Sequence, residues 1–127
     1  MAPRPGLSAT ASIVVSEVDT AITLRTGDVP VVATPRVVQL AEEASVQAVA
    51  GELDDGTTTV GYRVQLDHLA PTAVGGSMHA EATLETVESR RLTFRVSVSD
   101  GRGLVAAGKI TRVVVERARF LEKAAGA

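Results

Sequence analysis

Two side chains in this 127-residue sequence stand where their neighbours do not explain them. Glu42 sits in a stretch with helical spacing. Its neighbours one turn away are Val38 and Val46, and two turns away Pro35 and Val49. Glu43 belongs instead to the polar stripe of Arg36, Gln39 and Gln47. A carboxylate on a largely apolar flank is either a functional acid or a margin residue that snorkels to water, and the spacing alone leaves both open. His68 follows Leu66 on the apolar phase of a strand-like run, just before Ala70, Pro71 and Thr72. An inward imidazole at the end of a strand serves as a general acid or base near neutral pH. The alternative is a core histidine bonded to a backbone carbonyl. His79 lies on the polar phase of its run and reads as a surface residue.

Three more residues have double readings. Thr34 stands at the start of the helical stretch, where the pattern favours a capping role. Its hydroxyl could also hold a water or an acyl oxygen at the positive end of the helix dipole. Gly61 interrupts a strand of larger residues, which implies close approach by a ligand or neighbour, or else a bulge. Arg112 is in phase with Ile110 and Val114, so its charge calls for a carboxylate or phosphate partner, or an edge position. No GxSxG elbow, Walker loop, GxGxxG or HExxH occurs, and two histidines without a cysteine make a zinc site an unpromising expectation.

The elements that must position these residues are legible. Residues 34–51 form the one long helical stretch, with Pro35 near its start and Gly51 at its end. Residues 8–17 read as a first strand and 18–24 as a short helical or irregular link. From Thr59 onward the period becomes two. Val60, Tyr62, Val64, Leu66 and His68 alternate with polar residues, as do Met78 to Leu84 and Leu92 to Val98. A last long strand covers 104–116, with an irregularity expected at Gly108, and 117–123 close as a short helical turn. The order is strand, long helix, then four strands joined by hairpins. One sheet and one helix bury a single apolar face by wrapping the sheet around the helix. The expected class is α+β, a hotdog fold: a curved antiparallel sheet of about five strands around one central helix. A single domain is expected over 8–123, between a loose leader at 1–7 and a frayed tail at 124–127. An edge strand and a part-apolar outer face invite a symmetric dimer.

Composition narrows the function. There are 13 basic and 15 acidic residues, net charge -2, with no block of like charge, which points away from nucleic acid and anionic membranes. No apolar run approaches the roughly 18 residues that span a bilayer. Neither a signal peptide nor any cysteine is found, and a cytoplasmic location is expected.

The segments ATPRVVQLAEEA, GYRVQLDHLAPTAVG and VESRRLTFRVSVSDGRGLVAAG, with an arginine eight residues before Phe120, resemble the fluoroacetyl-CoA thioesterase-like family of hotdog proteins. The resemblance runs over roughly residues 10–122. Its most specific parts are a Thr and a Glu eight apart on the helix and a His ahead of a small residue, proline and threonine. It implies an acyl-CoA thioesterase that converts a small or medium acyl thioester to free acid and CoA. It implies Thr34, Glu42 and His68 as the catalytic set, with Gly61 and Arg112 binding the substrate, and no cofactor or metal. The implied partners are acyl-CoA or another acyl thioester and a second copy of the chain. A non-hydrolytic acyl-thioester-binding protein on the same fold is the alternative. The sequence departs from the family's namesake before the helix. There the namesake has a phenylalanine-bearing lid, whereas GDVPVVA holds no aromatic residue, so specificity for a fluorinated acetyl group does not carry over.

Overall fold

A computed structural model describes residues 2–126. The elements are β1 (Ser8–Val14), a 3-10 turn (Glu17–Asp19), α1 (Ala21–Leu24), α2 (Thr34–Ala48), β2 (Thr57–His68), β3 (Ser77–Glu88), β4 (Arg91–Asp100), β5 (Gly103–Glu116) and α3 (Arg117–Ala124). The five strands form one sheet in the order β1-β3-β4-β5-β2, antiparallel throughout, with α2 packed on it. This is the hotdog architecture expected above.

The core follows from the two periods. Val37, Leu40, Ala41, Ala44 and Ala48 share one face of α2 and are buried against alternate residues of the sheet, among them Met78, Leu84, Leu92, Phe94 and Ile110. The alanines bring the helix axis close to the strands. Ser45 lies on the same face and satisfies its hydroxyl by donating to the Ala41 carbonyl at 2.9 Å. On the outer face, Glu85 pairs with both Arg95 and Lys109, so charge faces water there.

Several expectations need correction. The link from β2 to β3 is not a hairpin. β2 pairs only with β5, and residues 69–76 carry the chain from one side of the sheet to an interior strand. Alternation marks a strand but not its neighbour. β1 ends at Val14 rather than at residue 17, because Ser16 turns the chain by donating its N–H to the Asp19 carboxylate at 2.8 Å. Thr34 is not the N-cap. Ala33 is, and its carbonyl accepts from Arg36 and Val37, so Thr34 is the first helical residue. Gly51 does adopt a left-handed φ of 81°, three residues after the helix ends. Pairing is continuous through Gly108, which faces both Leu66 and Val96. The glycine is there for closeness, since a Cβ would overlap the Gln65 carbonyl oxygen. The register shift in β2 falls between Gly61 and Arg63.

Of the leader, Gly6 donates to the Leu84 carbonyl, and Leu84 donates back to Leu7. At the other end, Ala125 and Gly126 donate to Leu121 and Lys123. The first residue of the leader and the last of the tail lie outside the described residues. No helix among the described residues is long and apolar enough to cross a membrane.

Candidate active site

Residues on α2, β2 and β5 meet in two groups. The first is at the start of α2. Thr34 Oγ1 and His68 Nδ1 lie 2.8 Å apart and share a hydrogen bond, whose direction depends on the imidazole tautomer. The ring's other nitrogen, Nε2, is buried with no hydrogen-bond partner. The surrounding loops fix both residues. Ala33 N–H donates to the Asp19 carbonyl at 2.8 Å, and Arg36 Nε donates to the Asp19 carboxylate at 3.0 Å. Burial pushes the Asp19 carboxyl up, but the Ser16 and Arg36 bonds outweigh it and hold the pKa below its ordinary value. Beyond His68, Leu69 and Ala70 donate to the Val105 carbonyl. Thr72 is buried and donates its hydroxyl to Asp100 at 2.8 Å. That bond and the Arg102 N–H lower the Asp100 pKa.

The second group lies two turns further along α2. Arg112 Nη1 donates to Glu42 Oε2 at 2.7 Å. The guanidinium is almost wholly buried, and its Nε and Nη2 donate to the hydroxyl and carbonyl of Thr59, each at 3.0 Å. Burial lowers the Arg112 pKa, and the Glu42 charge pulls it back up. An arginine remains a cation under all working conditions. The Glu42 side chain keeps 33% of its surface exposed, so one carboxylate edge is held and the other is open. Gly61 faces the same carboxylate. A Cβ at this position would sit 2.8 Å from Glu42 Oε2. Of the two readings for Gly61, both apply: β2 is bulged after it, and a side chain approaches it closely.

Eight helical residues separate Thr34 from Glu42, about 12 Å along the axis. Within one chain the two groups open on different hollows. Glu42 and Arg112 line a groove of about 710 Å³ between α2 and β1, with Gln39, Val46 and Thr10. His68 borders a smaller hollow of about 170 Å³ with Val31, Leu69 and Pro71. Thr59 is inconspicuous in the sequence. The only available signal was its position two residues before Gly61 on the same face of the strand.

An antiparallel five-stranded sheet wrapped on one long helix defines a protein of the hotdog class. Comparison with known proteins narrows the class. The chain belongs to the fluoroacetyl-CoA-specific thioesterase family, whose model matches residues 15–118. It is 37% identical over 93 residues to the fluoroacetyl-CoA thioesterase of Streptantibioticus cattleyicolor, covering 73% of this chain and 67% of that protein. A solved fluoroacetyl-CoA thioesterase superposes with a TM-score of 0.92 at 32% identity, covering 99% of this chain and 98% of the other. A thioesterase superfamily member from Thermus thermophilus superposes at 0.88 with 28% identity, covering 96% and 91%.

Proposed function

We propose that this chain hydrolyses a small or medium acyl-CoA thioester to the free acid and coenzyme A. Thr34, Glu42 and His68 act on the reacting atoms, and Gly61 and Arg112 bind and orient. The observation that carries this reading is the Glu42 carboxylate, gripped on one oxygen by a buried arginine and set against a strand backbone at Gly61. A thioester carbonyl lying along that backbone has its oxygen near the Gly61 N–H and its carbon facing the carboxylate.

Glu42 either takes a proton from water as the water oxygen bonds to the carbonyl carbon, or attacks that carbon itself to give an anhydride that water then opens. The C–S bond breaks in the collapse of the tetrahedral centre, and the thiolate leaves with a proton. His68 supplies it from Nε2, the ring nitrogen that Thr34 leaves free, and the proton released by the attacking water restores the ring. Thr34 fixes the ring through Nδ1 and donates to the oxyanion when its hydroxyl turns.

The separation of the two groups along α2 argues for a second copy of the chain. β2 is an edge strand, and its residues 61–65 are exposed, Tyr62 and Val64 among them. Antiparallel pairing of two β2 strands about this segment brings the His68 end of one beside the Gly61 end of the other. One hydrolytic cleft then draws on both copies. We assign the chain to a homodimer in the cytoplasm, where a cysteine-free sequence and coenzyme A thioesters both belong. The segment 27–33 before α2 has no aromatic residue, so specificity for a fluorinated acetyl group is not expected of this chain.

A thiol-release assay across a panel of acyl-CoAs tests the reaction, with Glu42→Ala as control. The variant is expected to lose at least about a hundredfold in rate. Unchanged release removes Glu42 from the chemistry. Binding of acyl-CoA by the unaltered chain without thiol release makes it a sequestering protein instead.

A further inference from the structure

Arg112 is held at two nitrogens by a single residue. Thr59 lies on β2 opposite Val114, turned inward and 9% exposed. Its hydroxyl accepts from Arg112 Nε, and its carbonyl accepts from Nη2. Nη1 is then the nitrogen directed at Glu42. A planar guanidinium fixed at two points cannot turn about its Cδ–Nε bond, so its third nitrogen has one direction.

We propose that Thr59 is a positioning residue for thioester hydrolysis: its hydroxyl sets the plane of Arg112, and Arg112 in turn places the Glu42 carboxylate. This rests on the reading of Glu42 as base or nucleophile. A strand at this point needs only a β-branched residue, and valine would serve it as well as threonine. The hydroxyl is what the strand itself does not require. Without it, Arg112 Nε–H is a buried donor with no acceptor. The guanidinium is then tied to β2 through Nη2 alone, so its plane can tilt about that bond and carry Nη1 out of line with Glu42.

The test compares Thr59→Val and Thr59→Ser in the full chain. Thr59→Val is expected to lose about tenfold to a hundredfold in kcat with little change in KM, as a small misplacement of a reacting group does. Thr59→Ser, which keeps the hydroxyl, is expected to stay within about threefold of the unaltered chain. A second readout does not depend on activity. The Arg112 Nε–H proton is expected as a slowly exchanging signal in the 1H–15N spectrum of the unaltered chain and of Thr59→Ser, and to be lost in Thr59→Val. If Thr59→Val does not fold, Thr59→Ala takes its place with the same expectations. Wild-type kcat in the valine variant overturns the proposal, as does a serine variant as slow as the valine one. If the unaltered chain hydrolyses no acyl-CoA, the reading of the reaction fails. The Nε–H signal then still decides whether Thr59 holds Arg112, and its survival in Thr59→Val refutes that.

Discussion

Replacing Gly61 by alanine is expected to lower activity with little change in stability. A Cβ at Gly61 would lie 2.8 Å from Glu42 Oε2, 3.8 Å from the Glu42 carboxyl carbon and 3.6 Å from Arg112 Nη1. Only the first contact is too close. Restoring an ordinary separation of about 3.4 Å requires the carboxylate to retreat by roughly 0.6 Å. The same oxygen is bonded to Arg112 at 2.7 Å, so its retreat loosens that bond or moves the arginine as well. A shift of this size in a reacting group costs about 1.4 to 2.7 kcal/mol of transition-state stabilisation, or tenfold to a hundredfold in kcat/KM. Stability should change little, because Arg112 keeps both of its bonds to Thr59 as the Glu42 bond loosens. Gly61 is absent from the positive-φ glycines, so alanine meets no backbone strain. Alanine also loses less conformational freedom on folding, about 0.5 kcal/mol in its favour. The assay is thiol release under first-order conditions, beside a urea denaturation curve of the same preparation. Hydrolysis within about twofold of the unaltered chain, with the fold intact, would refute the reasoning. The carboxylate would then have no required position near this strand.

Two further changes test the other group. Thr34→Ala should lower hydrolysis by about tenfold or more while costing less than about 0.5 kcal/mol of stability, because the hydroxyl bonds His68 and caps nothing; an N-cap would cost about 1 kcal/mol. Denaturation midpoints and thiol release on the same variant decide between them. Asp19→Asn should destabilise the chain at pH 7 and progressively less in acid. The folded Asp19 pKa lies below its ordinary 3.8, so its contribution is complete above that value and is lost as pH falls through the folded one. Equal deficits at pH 7 and pH 3 would show that its charge does not matter.

How far the sequence revealed this fold depends on the range of the signal. Alternation of Met78, Ala80, Ala82 and Leu84, and of Leu92 to Val98, is local, and all of these residues are buried as the period requires. The apolar face of α2 is local too. Strand neighbours are not. β2 looks like the first arm of a hairpin because β3 follows it, yet its partner is β5, with β3 and β4 lying between them in the chain. What decides the matter is space. Residues 69–76 leave β2 tied by Leu69 and Ala70 to Val105 on β5, and by the Val32–Thr72 bond to the segment before α2. The chain therefore crosses beside the helix start instead of folding back. No residue in 69–76 encodes that choice by itself. Pro71 and the two glycines announce only that the strand stops.

The same limit explains the site. Glu42 and His68 were conspicuous because each was out of keeping with its own neighbours. Thr59 was not, because a threonine in a strand is ordinary. Its role exists only once β2 and β5 are in register and Arg112, 53 positions away, reaches it. The Thr34 hydroxyl had the wrong expected partner for a related reason. Helix-start patterns count bonds within the helix, and here the Ala33 carbonyl already accepts from Arg36 and Val37. That releases the next residue's side chain to face outward along the helix end, where β2 terminates. A hydroxyl freed from capping and an imidazole fixed by the loop at 69–72 are then within one hydrogen bond of each other. Capping by Thr34 would have left His68 Nδ1 without this partner, so the one-residue shift in the helix start is what assembles this half of the site.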